Sequence, residues 1–289
     1  MIYAIAGVSG NTGKVAAETL LAAGKKVRVI VRDAAKGQSW KDRGAEVAVA
    51  DLTDVPALTK ALTGVAGAYL LCPPNMVVDD FAAYQKSVIA SLAEAVAKSG
   101  VPHVVLLSSA GAQHPAGTGP IAAMHHAEKA IGAIGTTSLT SLRAAYFMEN
   151  LGGSLGMLDK GILGTFVPAG VKLPMVATKD IGLQAAKLLV EGPRSRLHIV
   201  ELSSATHDMN DVAAALTTIL GKPIAVGEAP IAAMVPTLLG YGFKQKLAEM
   251  YAEMTAAFSN GTVVFEGTHT TAPGSTTLDT VLRQLLGAK

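Results

Sequence analysis

The sequence predicts an α/β fold, a doubly wound parallel sheet with a smaller C-terminal α/β lobe. Five apolar runs of strand length alternate with helical segments up to residue 109, and short turns join them. A glycine-rich turn separates the first strand from the first helix. Beyond residue 150, glycines and prolines interrupt the pattern repeatedly. We therefore expect one domain over residues 1–150 and a second lobe over residues 151–289.

The glycine-rich turn is the sequence Gly-Val-Ser-Gly-Asn-Thr-Gly at residues 7–13, between a strand at 2–6 and a helix at 14–23. Such a turn aims unpaired N–H groups and the positive end of the helix dipole at one point, which suits a pyrophosphate. In this interpretation the first glycine allows the tight turn, the second lets the backbone approach the phosphates, and the third lets the helix pack closely. The candidate cofactor-binding residues of the turn are Gly7, Ser9, Gly10, Asn11, Thr12 and Gly13. An ordinary loop is the alternative, but the strands and helix around the turn favour a Rossmann-type dinucleotide site.

The end of the second strand, residues 27–31, indicates which dinucleotide is bound. Arg32, Asp33 and Lys36 follow this strand. In a dinucleotide-binding fold this position faces the adenosine ribose, where a carboxylate binds a free 2′-hydroxyl and an arginine accommodates a 2′-phosphate. Two cations balance a phosphate dianion, so Arg32 and Lys36 favour NADP(H) over NAD(H). Asp33 turned inward would favour NAD(H), and a solvated charge cluster is a further alternative.

The third and fourth strands, residues 46–50 and 68–72, also end at the expected cofactor edge. Asp51 and Leu52 would lie beside the adenine, where the carboxylate either accepts from the adenine amino group or caps the next turn. The motif that ends the fourth strand supplies three more candidate cofactor contacts, Cys72, Pro73 and Pro74. Two prolines cannot continue a ladder, so the chain must leave the sheet over the cleft.

The rest of the first domain supplies candidate substrate residues. A helix is predicted over residues 79–99, a strand over 103–109, a helix over 120–134 and a strand over 138–143. Tyr146 and Phe147 follow in a chain with few aromatic residues. They either wall a pocket for a planar substrate or pack in the core.

The second lobe gives weaker patterns. We expect a strand at residues 197–202 to return to the main sheet, helices over 178–190, 208–220 and 277–286, and a short strand at 224–226. An apolar stripe recurs at helical spacing and consists of Leu247, Met250, Tyr251, Met254 and Phe258. Such a stripe is typical of core packing or subunit contact, so it is compatible with a homodimer.

Composition excludes several classes of protein. Half of the 289 residues are hydrophobic and 16% are charged, which indicates a compact globular chain and not a disordered one. The net charge of +2 comes without a basic run, so we expect no nucleic-acid partner. The single cysteine, Cys72, excludes an internal disulfide and a multi-cysteine zinc site, which fits a reducing cytoplasm. The chain opens on a strand and lacks a long apolar run, so we expect neither a signal peptide nor a membrane span.

Seven motifs carry a resemblance to a known family. They are GVSGNTG at 7–13, VRD-x-x-K at 31–36, DL at 51–52, LCPP at 71–74, VVLLSS at 104–109, LRAAYFMENL at 142–151 and KDIGLQAAKLL at 179–189. Together the motifs resemble the NmrA-like branch of the atypical short-chain dehydrogenase/reductase superfamily. That branch includes NADPH-dependent quinone and triphenylmethane-dye reductases and a non-catalytic nitrogen regulator. The resemblance implies an NADP-binding Rossmann domain and a small variable lobe that closes over the nicotinamide.

The superfamily's catalytic pattern is a serine near the end of the fifth strand and a Tyr-x-x-x-Lys helix. Here the resemblance places Ser108 or Ser109 first and Lys129 last, but His125 stands where the tyrosine is expected. Histidine is itself a proton donor near neutral pH, so His125 either replaces the tyrosine or occupies an exposed or structural helix position. Adjacent helical residues point about 100° apart, so His125 and His126 do not predict a metal site.

Two functions fit these observations. The first is an NADP(H)-dependent oxidoreductase that delivers hydride to a quinone or another planar apolar acceptor, a reaction in which positioning matters most. The second is a non-catalytic protein that senses NADP(H) and acts through a protein partner, which the missing tyrosine favours.

Overall fold

The computed structural model describes residues 1–287, in which strands and helices alternate along most of the chain. The strands in chain order are β1 (Ile2–Ile5), β2 (Lys26–Val31), β3 (Glu46–Val49), β4 (Gly67–Leu70), β5 (His103–Ser109), β6 (Ser138–Ala144), β7 (Tyr146–Phe147), β8 (Ile162–Thr165), β9 (Leu173–Val176), β10 (Leu197–Ser203), β11 (Ala205–His207), β12 (Ala225–Glu228) and β13 (Thr270–Pro273). The α-helices are α1 (Asn11–Ala22), α2 (Gln38–Asp42), α3 (Val55–Leu62), α4 (Phe81–Ser99), α5 (Ala122–Gly132), α6 (Thr178–Glu191), α7 (Met209–Leu220), α8 (Met234–Gly240), α9 (Gln245–Ser259) and α10 (Leu278–Leu285).

Eight of these strands form one parallel sheet in the order β13-β10-β6-β5-β4-β1-β2-β3. The strand order reverses on either side of β1, where Tyr3 pairs with Val27 of β2 on one side and with Gly67 of β4 on the other. In an open parallel sheet, the crevice at such a reversal is where ligands bind. The doubly wound Rossmann-type fold that the sequence predicts is confirmed.

Helices cover both faces of the sheet, as parallel strands require. On one face α1 and α6 bury a core that includes Ile5, Leu20 and Ile181. On the other face α3, α4 and α5 bury a second core that includes Leu58 and Leu92. The strands therefore hold their carboxyl ends at one rigid edge, and the glycine turn leaves from that edge.

The chain beyond residue 150 contributes to both parts of the molecule. Its strand β10 lies in the main sheet beside β6, with Leu197 opposite Leu139, and β13 forms the outer edge. Two small sheets, β11-β9-β7 and β12-β8, pack with α7 and α10 around a separate core. Leu151 and Leu216 are fully buried in that core.

Local differences from the prediction have identifiable causes. The connection after β2, which the alternating pattern predicts as one helical segment, is a 3₁₀ turn, Ala34–Gly37, capped by the Asp33 carboxylate and followed by the short α2. A 3₁₀ segment, Met148–Lys160, follows β7. In the described range 1–287, the helices lack the combined length and apolar character that a membrane span requires.

Candidate functional site

The glycine turn at the carboxyl end of β1 has the geometry of a phosphate-binding turn. Gly7 adopts a φ of +70°, and a Cβ there would lie 2.5 Å from Cδ2 of Leu71. Both the backbone conformation and the lack of space therefore favour glycine. A Cβ on Gly13 would lie 2.6 Å from the carbonyl carbon of Gly7. Because glycine has no Cβ, α1 can start directly against the strand. The N–H of Gly10 donates to the Gly7 carbonyl oxygen at 2.9 Å and closes the turn.

The amino-terminal end of α1 is open to an anion. Gly10 precedes the helix in an extended conformation, no side chain caps the first turn, and no acidic residue lies in it. Ser9, Gly10 and Asn11 are exposed. Thr12 differs, because its hydroxyl is buried and accepts a hydrogen bond from the Tyr69 hydroxyl at 2.9 Å. The free backbone N–H groups of this turn, together with the helix dipole, fit a pyrophosphate.

The end of β2 presents free cations. Arg32 and Lys36 are exposed, and their side chains make no hydrogen bond or ion pair with another residue between positions 1 and 287. The Asp33 carboxylate instead accepts from the Ala35 N–H at 2.9 Å. With two cations and one carboxylate, this edge keeps a net positive charge, which fits a 2′-phosphate.

The ends of β3 and β4 complete the adenosine side of the crevice. One oxygen of Asp51 accepts from the Thr53 hydroxyl at 2.6 Å and from its N–H at 2.9 Å. These bonds, with the nearby Arg32 guanidinium adding to them, hold the pKa of the Asp51 carboxyl below its usual value against a modest opposing effect of burial. The Asp51 carboxylate thus caps its turn, and Leu52 is buried beside it.

The LCPP segment follows β4 in the predicted place. Burial raises the pKa of the Cys72 thiol to about 12, so the thiol stays protonated. Pro73 is half-buried and Pro74 is exposed as the chain leaves the sheet. The Tyr84 phenol of α4 lies near the LCPP segment. Burial raises the pKa of this phenol, the nearby Cys72 and Asp51 raise it further, and Arg32 lowers it. Sequence analysis missed Tyr84, because no local pattern marks the side of a helix that meets a cleft.

The three candidate catalytic residues do not converge. Ser108 is 3% exposed, and its hydroxyl donates to Oε1 of Glu128 at 2.6 Å. Glu128 in turn pairs with Arg143 at 2.8 Å, and Arg143 also pairs with Glu266. Ser108 therefore belongs to a buried ionic network. The hydroxyl of Ser109 donates to the neighbouring Ala110 carbonyl at 2.9 Å.

The other two candidates lie on one side of α5. His125 and Lys129 line a cavity of about 290 Å³ between α5 and the strands β6 and β10. Nδ1 of His125 lies 3.0 Å from the Ala112 carbonyl oxygen and so carries the proton there. Lys129 is exposed. In the described part of the chain no hydrogen bond joins Ser108, His125 and Lys129, so they form no proton-transfer chain.

Helix α9 lies across the carboxyl ends of β4, β5 and β6. At its start Lys246 pairs with Asp80 at 2.5 Å, in the connection that follows β4. In its middle, the Met250 carbonyl oxygen lies so close to Gly119, in the connection that follows β5, that a Cβ there would collide with it. Near its end Phe258 meets Tyr146, just after β6, with the rings 5.5 Å apart and at 81°. The helix thus forms a roof over the half of the crevice that lies opposite β2 and β3.

The apolar stripe of the sequence lies on this roof helix. Leu247 is buried, whereas Met250, Tyr251, Met254 and Phe258 are only half-buried. Next to the stripe, Tyr146 packs at the border of the second-lobe core and Phe147 at the border of a main-sheet core. The roof and these two aromatic residues bring apolar surface to the crevice edge. The contacts at Asp80 and Gly119 are not predictable from local sequence, since Asp80 and Lys246 are 166 residues apart.

Comparisons with known proteins agree with this geometry. Residues 2–271 match the NmrA-like family. An NAD(P)H azoreductase of Xenophilus azovorans is 26% identical over 86% of this chain and 85% of its own length. Quinone oxidoreductase 2 of Escherichia coli strain K12 is 28% identical over 90% of this chain and 89% of its own length.

Two solved structures share the fold over nearly the whole chain. The NADPH-dependent quinone oxidoreductase of Escherichia coli in complex with NADPH superposes with a TM-score of 0.81 at 25% identity, over 99% of this chain and 100% of that one. The triphenylmethane reductase of Citrobacter sp. in complex with NADP(H) gives a TM-score of 0.82 at 23% identity, with the same coverage.

Proposed function

This chain belongs to the NmrA-like family and is an NADP(H)-dependent oxidoreductase, and on that premise we propose that its hydride acceptor is a planar apolar molecule of the quinone type. One observation carries the proposal: the half-buried apolar stripe of α9 crosses the carboxyl ends of β4, β5 and β6, at the same edge of the sheet from which the glycine turn leaves β1. The resemblance stated from the sequence is confirmed by the family match.

In this proposal different residues of the crevice bind different parts of the cofactor. The backbone N–H groups of the turn at residues 7–13 hold the diphosphate, since no side chain caps the start of α1. Arg32 and Lys36 hold the 2′-phosphate. Asp51, Leu52 and the Cys72-Pro73-Pro74 segment lie along the adenosine side. When bound, the reduced nicotinamide supplies a hydride.

The acceptor site lies under the roof helix. Apolar side chains there would bury the flat ring of the acceptor and fix its orientation, and positioning is what hydride transfer needs most. Tyr146 and Phe147 form its wall at the end of β6. Because Ser108 is tied to Glu128 and His125 to Ala112, we assign no proton transfer to the Ser108, His125 and Lys129 set. A quinone that has accepted hydride takes its proton from water.

Loss of NADPH absorbance tests the proposal directly. Purified protein is mixed with NADPH and a panel of quinones, azo dyes, triphenylmethane dyes and small polar aldehydes. We expect oxidation with the planar apolar acceptors and little with the aldehydes. The reverse preference contradicts the proposed acceptor class. Tight NADPH binding without oxidation by any acceptor would support the sensor hypothesis instead.

A variant pair locates the acceptor site on α9. Met254→Lys places a charge on the half-buried stripe, whereas Glu253→Lys changes the exposed neighbour. Burial of an apolar side chain contributes about 1.5–3 kcal/mol, so we expect Met254→Lys to raise KM for a quinone roughly tenfold or more. NADPH affinity should stay unchanged in both variants. Equal KM values for the two variants would place the acceptor elsewhere.

A further inference from the structure

The phenol of Tyr146 lies at the cofactor edge of the sheet without a protein partner. It comes two residues after Ala144, where β6 ends. Because β6 runs parallel to β1 in the same sheet, this end lies at the same edge as the glycine turn. Within residues 1–287 the Tyr146 hydroxyl makes no hydrogen bond, although the side chain is half-buried. The hydroxyl is not among the fully buried unpaired atoms of the described residues, so it is reachable from outside and free to donate to a bound ligand.

The ring of Tyr146 is fixed by packing. Phe258 of the roof helix meets it edge to face, with ring centres 5.5 Å apart. The backbone of Tyr146 is paired with that of Met175 in β9, which fixes the position of its Cα. A phenol held at its backbone and at one edge of its ring is partly preorganised, which is what stabilises charge during a reaction.

The same surroundings keep the Tyr146 phenol protonated. Burial raises its pKa to about 12, so at neutral pH the hydroxyl is a hydrogen-bond donor. The sequence lacks a tyrosine at the usual helix position, and the His125 that stands there is turned to the Ala112 carbonyl. Tyr146 is thus a phenol donor that stands next to the apolar stripe and makes no hydrogen bond within residues 1–287.

We infer that the Tyr146 hydroxyl donates a hydrogen bond to the carbonyl oxygen of a quinone acceptor and stabilises the negative charge that develops on it. This inference rests on the proposed function. Hydride addition brings two electrons to the quinone, one C=O bond becomes C–O⁻, and a proton from water then completes the hydroquinone. Tyr146 keeps its proton throughout. Its role is to select acceptors that carry an oxygen where the charge appears.

Tyr146→Phe tests the inference, because it removes the hydroxyl and keeps the ring that packs on Phe258. Removal of one donor to a developing oxyanion costs about a hundredfold to a thousandfold in kcat in a water-excluded site. A quinone spreads its charge over the ring, so we expect a smaller loss of about tenfold to a hundredfold in kcat. Reduction of a cationic triphenylmethane dye, which develops no oxyanion, should change less than threefold.

A binding measurement gives a readout that does not depend on turnover. Calorimetry follows an anionic hydroxynaphthoquinone, a mimic of the charged product, as it binds to the NADP⁺ complex. We expect Tyr146→Phe to weaken that binding about tenfold and to leave NADPH affinity unchanged. Tyr3→Phe is the matched control, since Tyr3 is a buried phenol in β1 and likewise has no hydrogen-bond partner within residues 1–287.

The outcomes separate the two proposals. Equal quinone kcat and equal probe affinity in Tyr146→Phe and wild type would overturn the role of Tyr146 while the proposed function stands. A parallel loss of NADPH affinity would also overturn it, because Tyr146 would then act on the cofactor site. Absence of quinone reduction by the wild type, with the probe not bound, would overturn both.

Discussion

Arg32 stands exposed at the end of β2, next to a carboxylate that already has a partner. Asp33 accepts from the Ala35 N–H at 2.9 Å through one carboxylate oxygen, so part of its acceptor capacity is used inside its own turn. Its charge remains, but Arg32 and Lys36 together outweigh it, which favours a ligand that carries a 2′-phosphate.

Arg32→Ala should weaken NADPH binding and leave NADH binding nearly unchanged. A hydrogen bond to a charged group contributes about 1.5–3 kcal/mol, which corresponds to a loss of roughly tenfold to a hundredfold in NADPH affinity. Calorimetry with both coenzymes measures the effect. Arg194→Ala is the control, because Arg194 is exposed between α6 and β10 and, among residues 1–287, pairs only with Glu191. NADPH affinity equal to the parent's in Arg32→Ala would remove this side chain from the 2′-phosphate site.

At the scale of elements, the roof helix is held to the β4–α4 connection by charge. Lys244 pairs with Asp79 at 2.9 Å, and Lys246 pairs with Asp80 at 2.5 Å. Asp80 also caps α4 through the Ala83 N–H, so its carboxylate fixes both helices. These pairs are exposed, so solvent screens them and each adds little. The start of α9 is held mainly by the burial of Leu247 and Ala248, and the charge pairs add to it.

Charge reversal at the Lys244–Asp79 pair should loosen the start of α9. Lys244→Glu places two negative charges together, and we expect hydrogen exchange at the first amides of α9 to quicken about two- to fivefold. The swapped pair Lys244→Glu with Asp79→Lys should restore the slower exchange. Added salt should shrink the difference, because the pair is screened by solvent ions. Equal exchange in all three proteins at low salt would mean that the pair does not hold the helix.

The same scale shows how much the sequence predicts. The strand predicted over residues 103–109 has those bounds in β5, because Gly100 and Pro102 end the preceding helix and an apolar run follows. Strand β13 is not predicted from the sequence, since its four residues include a proline and only Ala272 among them is buried. Local pattern thus defines elements that carry their own signals, and tertiary pairing defines the others.

The site residues follow the same division. The candidate phosphate-binding turn is predictable, because the positive φ of Gly7 and the close contacts of Gly13 with residues 6 and 7 are local, whereas the contact of Gly7 with Leu71 is not. His125 and Lys129 are four residues apart, a spacing that places two side chains on one side of a helix, and both line the same cavity. Ala127 and Ile131 lie on the other side of α5 and pack on the sheet, and this packing determines which way His125 and Lys129 face. Such packing depends on residues distant in sequence.

The whole molecule joins two cores through one sheet, and its stability should depend on pH through a histidine inside it. His103 opens β5, is 2% exposed, and lies 3.0 Å from the Thr140 hydroxyl through Nε2. Burial, with the nearby His198 adding to it, lowers the pKa of His103 to about 4. In the unfolded chain the pKa returns to near 6.5, so between these values the unfolded state binds more protons.

Stability should therefore be complete above about pH 6.5 and fall as the pH drops toward 4. We expect the free energy of unfolding in urea to decrease by about 1–2 kcal/mol between pH 7 and pH 5 from this group alone. His103→Gln keeps a polar partner for Thr140 and should flatten the pH dependence by that amount. His126→Gln, at an exposed position of α5, should keep the wild-type slope. Identical slopes in both variants would mean that the sheet interior accepts a charged His103, contrary to its burial.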